Sequence, residues 1–215
     1  DEQVYPVRTE LGLESLIALP ETYYTAFGSY LNLKIEEGDR VLVRAATSGV
    51  GIAFAKLLKG QFPKAYLAGS SRSLSKEKQL KEAGFDQVIL DKDGVLQTEE
   101  QFDKVLDLVG PSAILDTFSR TTDGGMICSC GLLGGQWTIP DFDPIEMLYR
   151  NLYLTTFASG NVSQDKLQAL VDFVERYQVD VRPEKVFSIE QIQDAHAYLE
   201  SSQSFGKVIV KIEDK

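Results

Sequence analysis

Apolar and polar positions change period repeatedly along this chain. Val41, Leu42 and Val43 form an unbroken apolar run that stops at small residues, and apolar positions resume in "IAFAKLLK", residues 52–59, at the spacing of one helix face. Residues 40–60 therefore predict a strand, a tight turn and a helix. The same alternation recurs downstream. "KAYLAGS" predicts a second strand, "SKEKQLKEAG" a helix closed by Gly84, "DQVIL" a third strand, and "FDKVLDLVG" a fourth ending at Gly110-Pro111. "SAILDTFSRT" then predicts a helix, "GGMICSCG" a fifth strand, "NLYLTTFAS" a sixth and "QDKLQALVDFVERYQ" an amphipathic helix. Parallel neighbours need crossover connections, so strands alternating with helices predict an α/β fold: a doubly wound parallel sheet of Rossmann type, with helices on both faces.

Two segments stand outside that alternation. Residues 19–33, "LPETYYTAFGSYLNL", predict an aromatic-rich helix before the first strand, and "KVFSIEQIQDAHAYLESSQSFGKVIVKI" predicts strand, helix and strand after the last. Both have the character of joints to a further body.

Composition narrows the function classes. The 215 residues, 43% hydrophobic, suffice for one core, so 1–215 is expected to be a single domain. A formal net charge of -10 argues against a nucleic-acid partner or an anionic membrane surface, so any phosphate site must be local. No apolar run approaches the roughly 18 residues of a membrane span. The stretch "DEQVYPVRTE" lacks the basic and apolar regions of a signal peptide, which favours the cytoplasm. Cys128, Cys130 and His196 are the only Cys and His residues, too few for a four-ligand zinc site, and no metal site is expected. Two apart in a strand, the thiols share a face and are expected to be buried and inert; His196 is expected on a helix surface.

The candidate chemistry sits at the glycine turn. A dinucleotide needs small residues there for a tight bend, for approach of backbone to the pyrophosphate and for packing of helix on strand, and the helix start supplies free N–H groups. The window Ala46-Thr47-Ser48-Gly49-Val50-Gly51 keeps only the last glycine of G-x-G-x-x-G, with Ala46 and Ser48 at the first two positions. The end of the second strand is more informative. An acidic residue there would take a ribose 2'-hydroxyl, whereas Ser70, Arg72 and Lys76, with no carboxylate before Glu77, suit a 2'-phosphate. Lys76 and Lys78 at a helix start also oppose its dipole unless an anion is near. NADP(H) is thus favoured over NAD(H).

These pieces, in order, resemble the medium-chain dehydrogenase/reductase superfamily, and within it the zinc-independent quinone oxidoreductase-like branch. The resemblance runs through "LPETYYTAFGSYL", "ATSGVG", "GSSRSLSKEKQLKEAGFDQVI", "DKVLDLVG", "GGMICSCGLLGG" and "FGKVIVKI", nearly the whole chain. It implies hydride transfer between NADPH and a quinone, carbonyl or activated double bond. By the same resemblance, Thr25 falls near the nicotinamide. Ser48, Gly49, Val50 and Gly51 fall on the pyrophosphate turn, and Gly131, Leu132 and Leu133 beside the nicotinamide ribose. Phe157, Ala158 and Ser159 fall where backbone meets the carboxamide, and Lys207 on the terminal Gly-Lys pair. Asp91 departs from the family, whose members often carry a tyrosine there.

Relatives also carry an N-terminal GroES-like domain before the "LPETYYTAFG" helix. The chain is therefore expected to be the cofactor portion of a larger enzyme, with 1–34 and 184–215 as linker or remnant segments, binding NADP(H) but turning over little substrate by itself. No catalytic acid is assigned; Tyr23 and Tyr24 are nearest, with aromatic packing their expected role. A homodimer through edge strand 151–159 is expected, and the small-molecule substrate is unspecified. A non-catalytic nucleotide-binding or dimerisation module of the same fold is the alternative reading.

Overall fold

A computed structural model describes residues 4–201 and 203–212. The chain enters through a short helix, α1 (Leu13–Ala18), breaks at Pro20 and Glu21, and continues as α2 (Tyr24–Leu33). The alternation then follows: β1 (Arg40–Arg44), α3 (Gly49–Gln61), β2 (Tyr66–Ser71), α4 (Glu77–Glu82) and β3 (Gln87–Lys92). After a two-residue β4 (Val95–Leu96) come β5 (Phe102–Asp107), α5 (Ile114–Ser119), β6 (Thr121–Ser129), α6 (Pro144–Met147), β7 (Tyr153–Thr155) and α7 (Gln164–Arg176). The chain closes with β8 (Lys185–Ser188), α8 (Ile192–Glu200) and β9 (Val208–Lys211).

Strand order in the main sheet is β4-β3-β2-β1-β5-β6-β7, and every pairing except the antiparallel β3–β4 hairpin is parallel. This is the predicted doubly wound Rossmann-type sheet, and its order reverses between β1 and β5. Alternate strand residues feed two cores. Val41, Val43, Leu67, Leu106 and Cys128 face α2, α3 and α7, while Leu42, Ala68, Val105 and Ile127 face α5 and the segment around 139–154. β8 and β9 pair parallel in a separate two-stranded sheet, with α8 as their crossover.

Three expectations change. Residues 19–33 are no linker: Leu19, Tyr23, Tyr24, Phe27, Tyr30 and Leu33 are all buried in the larger core, so α2 is a layer of the domain. The outer segments also meet each other, since Lys211 pairs with Glu14 at 3.1 Å. The sixth strand shrinks from 151–159 to Tyr153–Thr155, at the sheet edge as expected. Beyond it the Phe157 ring packs edge-on to Tyr24, with centroids 5.4 Å apart, in the space left by Gly28. A Cβ on Gly28 would lie 2.1 Å from that ring. Thirdly, the alternation of Leu152, Leu154 and Thr156 with Tyr153, Thr155 and Phe157 predicts a strand that could be covered on both faces, whereas Tyr153 is 61% exposed and one side of β7 is open.

Candidate functional site

Because the main strands run parallel, the residues following β1, β2, β5, β6 and β7 all gather at one edge of the sheet. The turn after β1 bends at Ala45, which takes φ +59°. Ser48 caps α3 by accepting from Gly51 N at 3.1 Å. Gly51 is needed for close packing, since a Cβ there would stand 2.7 Å from Ala46 O. Gly49 N and Val50 N have no hydrogen-bond partner among the described residues, so they remain available at the positive end of a 13-residue helix. Ala46 proves to be fully buried, with its N–H on Ser70 O at 2.9 Å, and so seats the turn from inside.

At the end of β2 the expected phosphate set is reduced. Ser70 is 0% exposed and its hydroxyl accepts from Ala45 N at 3.2 Å, so it clamps β1 to β2 and presents no hydroxyl to a ligand. Lys76 donates to Ser204 O at 2.7 Å and lies near the Phe205 ring, while Lys78 pairs with Glu82 along α4 at 3.8 Å. Those partners satisfy the lysines without a bound anion. Arg72 is exposed and makes no ion pair or hydrogen bond among the described residues.

The remaining residues converge around the break at Pro20 and Glu21. Glu21 has φ 65° and ψ -71°, the rarer form of γ-turn, which costs an L-residue about 1–3 kcal/mol. Its carboxylate accepts from Thr25 Oγ1 at 3.5 Å and from Ser159 Oγ at 3.3 Å. Lys207 reaches Pro20 O at 3.4 Å and Thr22 Oγ1 at 3.2 Å. Burial lowers the Lys207 pKa and Glu21 opposes the shift. Gly49 borders the Thr22 methyl and Gly206 O. Thus Thr25, Gly49, Ser159 and Lys207, far apart in the chain, share one neighbourhood, with a groove of about 550 Å³ beside it lined by Gly49, Lys56, Asp180, Phe205 and Lys207. Leu132 and Leu133 are exposed on the loop after β6. Gly131 lets that loop press on the backbone of Leu108, where a Cβ would come within 2.1 Å. Phe157 spends its ring on packing, and Ala158 is exposed.

Sequence reasoning missed a buried ionic cluster under the same edge. Arg44, 0% exposed, donates to Asp91 at 2.7 Å, Asp116 at 3.0 Å, Thr117 and the carbonyls of Ala113 and Gly94. Its Nε has no partner among the described residues. Asp91, at the family's tyrosine position, is therefore the partner of a buried cation. Asp107, also fully buried, accepts from Val109 N, Gly110 N and Thr117 Oγ1 and so shapes the turn after β5. Burial pushes the Asp107 carboxyl up, against the Gly110 N–H and Arg44, which hold it down. An arginine ending an apolar strand was the available signal.

The tyrosines considered as acids are committed elsewhere: Tyr24 donates to Asn161 O at 2.8 Å and Tyr23 faces Asp180 O at 3.5 Å. Burial raises both pKa values. Cys130 contacts Ser29 Oγ at 3.4 Å. The neighbouring Cys130 and burial raise the pKa of Cys128, while Cys128 and Ser29 lower that of Cys130. His196 is exposed on α8.

A helix start with N–H groups unpartnered among the described residues, a half-buried lysine beside it and a sheet whose order reverses at β1 define a Rossmann-type domain with a site suited to phosphate. The family described as zinc-binding dehydrogenase matches residues 83–210, and the chain belongs to it, within the medium-chain dehydrogenase/reductase superfamily of oxidoreductases. The chain is 28% identical over 207 residues to a 2-methylene-furan-3-one reductase of Solanum lycopersicum, covering 93% of this chain and 47% of that protein. Among solved structures it resembles Bacillus subtilis protein YhfP with NAD bound, at TM-score 0.81 and 23% identity, over 96% of this chain and 65% of that one. It also resembles the YhdH oxidoreductase of Salmonella enterica in complex with NADP, at TM-score 0.77 and 18% identity, over 96% and 66%. The chain thus spans about half the length of its curated relative. The family description names zinc, yet no group of three or more His, Cys, Asp or Glu able to hold a metal ion occurs among the described residues. No described helix is long and apolar enough to cross a membrane.

Proposed function

We propose that this chain is the NADP(H)-binding portion of an oxidoreductase that moves hydride between the nicotinamide and a quinone, a carbonyl or an activated double bond. The observation that carries the reading is the start of α3. Gly49 N and Val50 N have no partner there among the described residues, and the Lys207 ammonium lies near the same point, a set that suits a pyrophosphate. The hydride chemistry belongs to the cofactor. The chain's task is placement: Thr25 and Ser159 border the reactive end, the 131–133 loop walls the ribose, and Arg72 holds the 2'-phosphate. Arg72 supports the phosphorylated cofactor because it is exposed and unpaired among the described residues. The name of the tomato relative, a reductase of a methylene-furanone, supports a conjugated carbonyl compound as acceptor.

Titration of the protein with NADPH, NADH and S-adenosylmethionine, followed by reduced-nicotinamide fluorescence and by calorimetry, tests this. Binding is expected in the order NADPH, NADH, then none; binding of neither nicotinamide form overturns the reading. We further propose a homodimer through the β7 edge, supported by the exposed Tyr153 on a strand whose outer edge has no partner among the described residues, and by the exposed Trp137, Ile145 and Tyr149 in the segment leading to it. Light scattering at micromolar concentration is expected to give twice the chain mass, and Tyr153→Asp to halve it. A monomeric mass for the unaltered protein refutes the dimer.

A further inference from the structure

Glu21 stands where the backbone favours glycine, with φ 65° in a strained turn between α1 and α2. Its carboxylate is exposed and has no ion pair within 4.0 Å among the described residues. Its two acceptor contacts are long, 3.5 Å from Thr25 Oγ1 and 3.3 Å from Ser159 Oγ, leaving most of its acceptor capacity unused. The nearby ammonium of Lys207 is turned instead to Pro20 O and Thr22 Oγ1. A carboxylate that feels the Lys207 ammonium but makes no ion pair with it among the described residues is thus lodged between two residues, Thr25 and Ser159, that the proposed site assigns to the nicotinamide end.

We propose that Glu21 presents its carboxylate to the nicotinamide end of the bound dinucleotide, where it holds the oxidised, cationic ring more tightly than the reduced, neutral one. The inference rests on the reading that this site binds a nicotinamide dinucleotide. Its physical reason is that the two redox forms differ by one positive charge on the ring and are otherwise alike, so a fixed carboxylate beside the ring acts on that difference alone. A single charge at several ångströms in a partly screened site changes affinity by about five- to tenfold. By linkage, tighter binding of the oxidised form makes the bound reduced form a stronger hydride donor. Glu21 is a positioning residue in this scheme: it takes no proton and forms no bond.

The test is calorimetric titration of the unaltered protein and Glu21→Gln with NADP+, NADPH and 2'-phospho-ADP-ribose, which lacks the nicotinamide. NAD+, NADH and ADP-ribose are run in parallel. Gln keeps the shape and hydrogen bonding while removing the charge. The oxidised form is expected to weaken by about five- to tenfold in Glu21→Gln, the reduced form by less than about twofold, and the nicotinamide-free probe not at all. A second variant, Glu21→Gly, is expected to lose the same preference while melting at a higher temperature, because the turn is no longer strained. An oxidised-to-reduced affinity ratio unchanged in both variants overturns the proposal, as does equal weakening of all three ligands. If the unaltered protein binds none of these ligands, it is the reading of the site that has failed.

Discussion

Replacing Arg72 by Ala should discriminate between the two dinucleotides, and the size of the effect follows from what each cation already touches. A charge-assisted hydrogen bond contributes about 1.5–3 kcal/mol. Arg72 surrenders no existing partner among the described residues to meet a 2'-phosphate, so about 2 kcal/mol, or about 30-fold in affinity, is expected from its loss. Lys76 must first leave Ser204 O, a bond of 2.7 Å whose donor is itself charged and which is worth about as much as the new one, about 1.5–3 kcal/mol. Its net contribution is therefore close to zero, and Lys76→Ala is expected to change NADPH affinity by less than about twofold. Calorimetric titration of the unaltered protein, Arg72→Ala and Lys76→Ala with NADPH and NADH at one ionic strength measures both. NADH affinity should be unchanged in Arg72→Ala. The reasoning is refuted if NADH weakens as much as NADPH, or if Lys76→Ala costs more than Arg72→Ala.

Three further outcomes are expected. Arg44→Met leaves Asp91 a buried charge without its cation and Asp116 with Arg120 alone, at 3.7 Å, a loss of about 3–5 kcal/mol that thermal unfolding would report as a fall of roughly 10 °C or more in melting temperature. Gly51→Ala pushes a methyl to 2.7 Å from Ala46 O. It should cost about 1–3 kcal/mol and weaken NADPH and NADH alike, because α3 must back away from β1. Asp180 is held down to a pKa of about 2, chiefly by its hydrogen bond from Arg182. A folded pKa below the unfolded value of about 3.9 stabilises above about pH 4 and ceases to do so as pH falls through about 2. Asp180→Asn should therefore lose less than about 1 kcal/mol at neutral pH, and its melting curve should converge on that of the unaltered protein between pH 4 and pH 2.

Much of the frame was legible beforehand because it is written in local periods. The apolar run at Val41–Val43, the helix face from Ile52 and the closing Gly84 each report the backbone around them, and right-handed crossovers do the rest. The site was legible in outline only. Ser70 was assigned to a ligand because it ends a strand. Both faces of that strand are covered, however, so its hydroxyl had only a neighbouring backbone to meet. Lys76 and Lys78 read as cations waiting for an anion, but Ser204 O, brought in by the C-terminal segment, and Glu82, one turn further along α4, were already their partners. The Arg44 cluster draws on β1, β3 and α5, and no spacing along the chain predicts that Asp91 and Asp116 converge on one guanidinium.

Alternation of apolar period and small residues at the turn were enough to determine a parallel sheet with a tight strand-to-helix turn after its first strand. Only the tertiary structure decided which charges are already paired among the described residues and which are not: Lys76 committed, Arg72 unpaired, Arg44 and Asp91 sealed together, Glu21 in a strained turn without an ion pair. The reason is range. Backbone preference acts between neighbours in sequence, whereas the pairing of polar groups depends on distances of a few ångströms between segments that only the folded chain brings together.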